Sequence, residues 1–337
     1  MKKDTKTGII VFIILIIFTG GCVVYARWFN KQNATPKVSI ANPTANPSGV
    51  SSVNYSYNSG KEYIAAVYVE GTMEAANSTY NQKWLLSTIN KLKNDSNNVA
   101  IAMYVNSPGG GVYQADEVYY ALTAYKQTGK KLYVYMGPTA ASGGYYISCP
   151  ADKIYANRNT ITGSIGVIAG QLIDATELLD NLGITIEAIH SGRNKLMGNF
   201  YEEITEEQED ILQSISDECY NQFVTIVAEN RGLSLARVRE LADGRIYSAA
   251  QAMQNHLIDR IDSWDNMIIT LQKVELKMDA CKVIAYRYEH KQTFRESLFG
   301  MISRIQNKEA ASKLGVPAAV MDDLNNYNTY PAYLYRQ

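Results

Sequence analysis

The stretch Lys131-Leu-Tyr-Val-Tyr-Met-Gly-Pro-Thr-Ala-Ala-Ser-Gly-Gly-Tyr145 joins an apolar β-run to a predicted helix through a serine and two glycines. The glycines let the backbone turn sharply between the two elements. A serine at such a turn projects its hydroxyl into a cleft, and the glycines let a substrate carbonyl approach backbone N–H groups. Ser142 is therefore the candidate nucleophile.

Strand and helix patterns alternate on both sides of this stretch. The predicted strands are Tyr63–Val69, Val99–Val105, Lys131–Met136, Ile165–Ala169 and Ile184–Ile189. The predicted helices are Gln82–Lys93, Gly111–Tyr125, Ala175–Leu182 and a long one that a capping box, Thr205-Glu-Glu-Gln208, opens and that ends near Asn230. This βαβ order predicts an α/β domain with a largely parallel sheet.

The N-terminal region differs in composition from the rest of the chain. Gly8–Ala26 is an uncharged, mostly apolar run of 19 residues. As a helix it would be about 28 Å long at roughly 1.5 Å per residue, enough to cross the bilayer core. We predict a tail and transmembrane anchor over 1–29, followed by a flexible linker over 30–60 that is rich in Asn, Ser, Thr and Pro.

Two alternatives compete with a retained anchor. A cleaved signal peptide needs a shorter apolar core and a small-residue exit, which this run lacks. A lipoprotein site at Cys22 would usually carry leucine where Thr19 stands. Basic residues flank the run in similar number, but the very short tail with three lysines favours an N-terminus inside and a body outside.

The folded body follows the linker. We predict one α/β domain over 61–275 and a C-terminal region over 276–337 with a strand at Val283–Tyr288, a helix at Phe294–Asn307 and a tyrosine-rich tail. The chain has 32 basic and 33 acidic residues and no long basic run. We therefore expect no nucleic-acid partner.

The cysteines beyond the apolar run suggest no metal or redox chemistry. Cys149, Cys219 and Cys281 are far apart and form no C-x-x-C pair, so we predict no metal site and no cofactor. Cys219 shares an apolar helical face with Ile215 and Phe223, which predicts a core position.

A serine hydroxyl needs a base to take its proton. The chain has three histidines, His190, His256 and His290. His190 is a possible base, although no local pattern supplies the buried carboxylate that a histidine base normally has. Lys195 is the stronger candidate, because a glycine turn after the predicted strand Ile184–Ile189 would aim it into the cleft. Desolvation or a nearby positive charge would be needed to make its amine neutral.

A second glycine-rich segment, Asn106-Ser-Pro-Gly-Gly-Gly111, lies between a predicted strand and a predicted helix. An ordinary β-to-α turn would not need three consecutive glycines. No Gly-Lys-Ser/Thr follows to make the segment a nucleotide-binding loop. Its backbone N–H groups are therefore candidates for an oxyanion hole.

Taken together, these motifs resemble the signal peptide peptidase A family of membrane-bound serine proteases. The segments that carry the resemblance are Asn106-Ser-Pro-Gly-Gly110, Ala141-Ser-Gly-Gly-Tyr-Tyr146, Thr162-Gly-Ser-Ile-Gly-Val167, Ser191-Gly-Arg-Asn-Lys195, Ala242-Asp-Gly-Arg-Ile-Tyr-Ser248 and His256-Leu-Ile-Asp259. The resemblance implies an α/β, crotonase-like fold with repeated ββα-type units, shared with the caseinolytic Clp protease and preceded by one transmembrane helix.

The resemblance also implies roles for individual residues. Ser142 and Lys195 match the family's catalytic dyad, and Ser164 matches the residue that orients the lysine. Gly110 and Gly143 match the oxyanion hole. Arg193 departs from the family pattern, and either a lowering of the Lys195 pKa or a solvent-facing position is compatible with the sequence.

The implied activity is that of a membrane-anchored serine endopeptidase that degrades cleaved signal peptides and other short hydrophobic peptides. The implied setting is a bacterial cell membrane, with a single span, a cytoplasmic N-terminus, an extracytoplasmic catalytic domain and a homo-oligomeric assembly. A crotonase-like acyl-CoA enzyme and a non-catalytic membrane scaffold are the alternatives, and neither needs Ser142 or Lys195.

Overall fold

A computed structural model describes residues 62–279, 281–290 and 332–334. All of them belong to one compact unit, Ser48–Gln337. The predicted anchor, the linker and the predicted helix Phe294–Asn307 lie outside the described residues. None of the helices within the described ranges is both long and apolar enough to cross a bilayer.

The centre of the fold is a sheet of eight strands. They are β1 (Tyr63–Glu70), β2 (Asn98–Ser107), β4 (Lys131–Ala141), β5 (Lys153–Ala156), β6 (Ile161–Gly163), β7 (Ile246–Ser248), β8 (Arg260–Ile261) and β9 (Lys282–Tyr286). The main path runs β7-β6-β4-β2-β1-β9, while β5 pairs with both β4 and β8. Every pair in this sheet is parallel except β6 with β7, so the predicted parallel α/β sheet is confirmed.

Helices connect these strands. They are α1 (Gln82–Asn94), α2 (Val112–Lys126), α3 (Gly143–Tyr146), α4 (Thr176–Asn181), α5 (Glu206–Arg231), α6 (Leu235–Leu241), α7 (Ala249–Gln254) and α8 (Trp264–Thr270), which a π-helical turn, Leu271–Glu275, extends. The Thr205 hydroxyl accepts the Gln208 N–H at 3.3 Å, as the predicted cap of α5 requires. The helix ends at Gly232, whose left-handed φ of 65° stops it. A further short strand, β3 (Gly109–Gly111), follows β2.

Both faces of the sheet are buried, as its near-continuous apolar strands require. Ala65, Val67 and Val69 of β1 face one core, into which α1, α2, α3 and α5 also pack. Ile64 and Ala66 face a second core, which α8 covers. Burial on both sides therefore holds the central strands, and with them their carboxyl ends, in place.

Two predicted strands are absent. Ile165–Ala169 is not a strand, because β6 ends at Gly163 and the left-handed φ values of Gly163 (85°) and Ser164 (49°) turn the chain out of the sheet. Ile184–Ile189 has no regular structure, and Ile189 is fully exposed. Its alternating apolar pattern requires a neighbouring strand, which the described part of the chain does not supply.

The core prediction for α5 is also only partly correct. Phe223 and Val227 are fully buried, whereas Ile215 is 39% exposed and Cys219 is half-buried. The apolar face of α5 therefore extends about two turns beyond the core.

Candidate active site

Ser142 occupies a strained turn between β4 and α3. Its φ and ψ are 54° and −119°, and it is 1% exposed. A residue with a side chain in such a conformation costs on the order of 1–3 kcal/mol, and such strain concentrates at functional sites. Its backbone is fixed on both sides, because the Ser142 N–H donates to the Gly163 carbonyl at 2.7 Å and the Ser142 carbonyl accepts from the Tyr146 N–H at 2.9 Å.

The hydroxyl of Ser142 is buried, and it has no hydrogen-bond partner among the described residues. A buried hydroxyl without a partner costs about 1–3 kcal/mol. The fold therefore holds an oriented oxygen whose proton no described group accepts. A buried hydroxyl left without a partner is compatible with a nucleophile, whose activation requires a base.

Ser164 lies at the same edge of the sheet. Ala141 of β4 pairs in register with Gly163 of β6, so Ser142 and Ser164 follow directly after paired residues of adjacent parallel strands. Ser164 is nearly buried, with a φ of 49°, and its N–H donates to the Arg245 carbonyl at 2.8 Å. The register thus brings together the two serines that the sequence selects.

The strand β3 presents one backbone edge toward this region. The Met73 N–H donates to the Gly109 carbonyl, and the Gly111 N–H donates to the Met73 carbonyl, both at 2.8 Å. Because backbone groups alternate along a strand, the N–H and C=O of Gly110 face the opposite edge. A Cβ on Gly110 would lie 2.0 Å from the Met73 carbonyl oxygen, so only glycine fits there.

Gly143 supplies a second backbone donor. It directly follows Ser142, and its N–H has no acceptor among the described residues. The helix α3 lies against β3 and close to the end of β2, where a Cβ on Gly144 would be 2.7 Å from the Ser107 carbonyl oxygen. The helix that starts at Gly143 and the strand that contains Gly110 thus lie in contact, and the oxyanion hole that the sequence predicts from their N–H groups stays a prediction.

A segment from the end of the chain lies on the Gly110 edge. The strand β10 (Ala332–Leu334) pairs antiparallel with β3, and Tyr333 lies opposite Gly110. The same strand lies beside α3, which begins directly after Ser142. The edge of β3 therefore pairs with an extended segment of the chain close to Ser142.

The Lys195 amine forms no hydrogen bond with the Ser142 hydroxyl in this chain. Lys195 is exposed, in a run of turns where its N–H donates to the Gly192 carbonyl at 3.1 Å. No carboxylate of the described residues lies within 4.0 Å of its amine. The predicted strand Ile184–Ile189, which would have aimed Lys195 into the cleft, does not form.

Arg193 and His190, the other two residues near Lys195 that the sequence singles out, contact groups other than Ser142. Arg193 forms an ion pair with Glu207 at 2.5 Å. The exposed His190 ring lies 3.2 Å from the Gly192 carbonyl through Nδ1. Neither side chain forms a hydrogen bond with the Ser142 hydroxyl.

Sequence reasoning missed the polar network that holds α3. The Tyr146 hydroxyl lies 2.6 Å from an Asp116 oxygen of α2, and the Gln222 amide of α5 donates to both, at 2.6 and 3.0 Å. The only sequence signal is that Asp116 and Gln222 are polar residues on otherwise apolar helical faces. The thiol of Cys149, a little further along, is no rival nucleophile, because burial raises its pKa to about 12.

These features define a class. The chain is an α/β protein with a buried serine on a strained strand-to-helix turn, at the carboxyl edge of a parallel sheet and beside a glycine strand. The profile of Peptidase family S49 matches residues 124–279. Residues 124–279 of the chain are therefore similar to this family.

Individual relatives support this similarity. The chain is 38% identical over 208 residues to a "Putative signal peptide peptidase SppA" of Enterococcus faecium, with 62% of this chain and 60% of the relative aligned. It is 27% identical to "Putative protease MJ0651" of Methanocaldococcus jannaschii, over 89% and 90% of the two chains. It is 31% identical to "Protease 4" of Haemophilus influenzae, over 61% and 34%.

The chain therefore spans three fifths of the Enterococcus relative and one third of the Haemophilus relative. Among solved structures, a point mutant of ClpP1 from Listeria monocytogenes aligns with 60% of this chain and 94% of its own, at 17% identity and a TM-score of 0.41.

Proposed function

We propose that the protein is a serine endopeptidase with Ser142 as nucleophile and Lys195 as general base. The observation that carries the proposal is the buried, unpartnered Ser142 hydroxyl on its strained turn beside the Gly110 edge. The similarity of residues 124–279 to Peptidase family S49 supports the reaction class. Ser164, one register position away, is proposed to orient the lysine amine.

The proposed reaction is acyl transfer. The neutral Lys195 amine takes the Ser142 proton, and the oxygen attacks a peptide carbonyl whose developing negative charge the Gly110 and Gly143 N–H groups stabilise. Lys195 then gives that proton to the departing amine, which leaves an acyl ester on Ser142. Water, deprotonated by Lys195, attacks the ester carbonyl, and the bond from the acyl carbon to the Ser142 oxygen breaks. The Ser142 oxygen takes the proton back from Lys195, and the acyl fragment leaves as a carboxylic acid.

The proposed substrates are extended peptides, above all cleaved signal peptides and other short hydrophobic peptides. The antiparallel pairing of β10 with β3 supports an extended conformation, because it shows that the Gly110 edge binds a strand through backbone groups. The relative named as a signal peptide peptidase supports the substrate class. We also propose that the domain has the crotonase-like fold that the resemblance implies, which the Clp proteases share.

The base is proposed to come from a second copy of the chain in a homo-oligomer. Ser142 has no partner among the described residues of its own chain, and Lys195 lies in an exposed segment. That segment carries exposed apolar side chains that a neighbouring subunit would cover. They are Leu178, Leu182, Ile184, Ile186, Ile189 and Phe200.

The C-terminal tail, Tyr327–Gln337, is proposed to act as an internal inhibitor. Its described part, β10, occupies the edge that a substrate would need. An attached segment competes at a high effective concentration, so even weak pairing would reduce substrate binding.

The setting is proposed from the sequence. Gly8–Ala26 would anchor the protein by a single span in a bacterial cell membrane, with the N-terminus in the cytoplasm and the catalytic domain outside. This arrangement would place the active site beside hydrophobic peptides left in the membrane.

The proposal is tested by hydrolysis of fluorogenic peptides and of a synthetic signal peptide. Ser142→Ala and Lys195→Ala are expected to abolish hydrolysis. Lys91→Ala, which removes an exposed lysine from α1, is the matched control and is expected to keep it. Equal hydrolysis by all variants would place the chemistry elsewhere and leave a crotonase-like acyl-CoA enzyme or a scaffold as the alternative.

A further inference from the structure

The Lys195 loop, defined here as His190–Asn199, is folded as a run of turns. Backbone hydrogen bonds join Lys195 to Gly192, Met197 to Asn194 and Asn199 to Leu196, at 3.1, 3.2 and 3.0 Å. These bonds close the loop on itself. They do not fix its position relative to the rest of the protein.

One carboxylate oxygen supplies that connection. Glu207 Oε1 accepts from Arg193 Nη2 at 2.5 Å and from Asn194 Nδ2 at 3.2 Å. These two donors directly precede Lys195 in the chain. Glu207 itself is fixed, because it lies in the first turn of α5, where the Thr205 side chain caps the helix.

We propose that Glu207 is a positioning residue for Lys195. It clamps Arg193 and Asn194 so that the loop presents the lysine amine in one arrangement. It touches neither substrate nor the reacting atoms. This inference rests on the proposed function, since it assumes that Lys195 is the base.

The energetics favour a local role over a role in global stability. Arg193 and Glu207 side chains are 79% and 43% exposed, and exposed ion pairs contribute little to the stability of a whole fold. A small bias is sufficient to select one arrangement of a surface loop, because populations respond exponentially to free energy. A catalytic base also has to be held closely, since small misplacements reduce the rate strongly.

The ion pair gives Arg193 a further role beside the two that the sequence leaves open. Although the Arg193 side chain is 79% exposed, its guanidinium binds Glu207. Through its ion pair with Glu207, Arg193 therefore connects the Lys195 loop to α5.

The test compares variants of the full chain purified in detergent. Glu207→Ala removes the clamp, Glu207→Gln keeps an acceptor oxygen without the charge, and the double variant Arg193→Glu, Glu207→Arg reverses the pair. Glu206→Ala is the matched control, because Glu206 is an exposed acid of the same turn without a contact to the loop among the described residues.

Four quantities are measured: kcat and KM on a fluorogenic peptide, the rate at which a small fluorophosphonate labels Ser142, and the temperature of thermal unfolding. We expect Glu207→Ala to lower kcat and the labelling rate by about five- to tenfold, with KM nearly unchanged. Glu207→Gln should fall between Glu207→Ala and the parent. The reversed pair should recover to within about twofold, and Glu206→Ala should match the parent.

Two results overturn the inference. One is a Glu207→Ala protein that labels at the parent rate, and the other is a reversed pair that remains as slow as Glu207→Ala. If Glu207→Ala unfolds at a lower temperature than the parent, the labelling rates of Glu207→Gln and of the reversed pair test the inference instead. Labelling of Lys195→Ala at the parent rate would instead refute the proposed function, and the inference would fall with it.

Discussion

The Ser142 N–H donates a 2.7 Å hydrogen bond to the carbonyl of Gly163, the residue that precedes Ser164. This bond joins the nucleophile turn to the end of β6, and Ser142 and Ser164 both adopt positive φ values, 54° and 49°. The two strained serines are thus held together by strand register, and the strain of both turns is supported by the same part of the sheet.

Because Ser142 is strained, we predict that replacing it raises the stability of the fold while it abolishes activity. Ser142→Gly removes both the Cβ at positive φ and the unpartnered buried hydroxyl, so we expect a gain of about 1–2 kcal/mol in unfolding free energy. Ser142→Ala removes only the hydroxyl and should gain less. Both should be inactive. Chemical denaturation checks the order, and a Ser142→Gly protein less stable than Ser142→Ala would contradict the strain argument.

Gly110 is predicted to tolerate no side chain. In Gly110→Ala the new Cβ meets the Met73 carbonyl oxygen at 2.0 Å, so β3 must shift and displace its peptide-binding edge. We expect a loss of at least about tenfold in kcat/KM. Gly129→Ala is the control, because its Cβ would meet nothing within 4 Å although its φ of 86° is strained. Equal activity of the two variants would show that the Gly110 edge is not used.

Removal of the tail is predicted to activate the enzyme. Deletion of 327–337 frees the edge on which β10 pairs, so we expect a lower KM with little change in kcat. Steady-state kinetics on a fluorogenic peptide measure this, and a synthetic peptide of the deleted sequence should inhibit the shortened protein. Turnover that is the same with and without the tail would eliminate the inhibitory role.

Subunit sharing of the dyad is predicted to allow complementation. When Ser142→Ala and Lys195→Ala chains are coexpressed in equal amounts, random assembly places an intact serine beside an intact lysine in about a quarter of the sites. We therefore expect about a quarter of the parent activity from two variants that are each inactive. An inactive mixture, with mixed oligomers demonstrated by affinity tags, would show that each chain supplies both residues.

Asp259 is predicted to stabilise the fold in a pH-dependent way. Although burial opposes its ionisation, the pKa of Asp259 is lowered overall, because its carboxylate accepts from the Arg231 guanidinium at 3.1 Å and the Ile154 N–H at 2.7 Å. A lowered folded-state pKa gives stability that is present above the unfolded value, near 3.8, and is lost as pH falls through the folded one.

The matching experiment compares the parent with Asp259→Asn. At pH 7 we expect Asp259→Asn to lose about 1–3 kcal/mol of unfolding free energy. The difference should shrink below about pH 4. A gap that stays constant from about pH 7 to about pH 3 would show that the Asp259 charge is not involved.

Sequence patterns predicted the elements that are determined by the local spacing of apolar residues. In six elements the apolar residues recur at the period of a strand or of a helix, and each element packs against a core. They are β1, β2, β4, α1, α2 and α5. The turn at Ser142 was predictable for the same reason, since glycines and a strand end mark it locally.

The remainder depends on residues distant in sequence. The pattern of Ile184–Ile189 is that of a strand, but a strand forms only where a neighbour pairs with it, and the described chain offers none. The pairing of β10 with β3 joins residues more than 200 positions apart. The clamp of Glu207 on Arg193 spans 14 residues and follows from the placement of α5, which no local pattern encodes.

The central claim is that Ser142 is a nucleophile activated by Lys195, and covalent labelling tests it most directly. The full chain is treated with a fluorophosphonate and digested, and the modified peptide is identified by mass. We predict one adduct, on Ser142, that forms in the parent and in Lys91→Ala but not in Lys195→Ala. An adduct on another residue, or equal labelling of Ser142 in Lys195→Ala, would contradict the account.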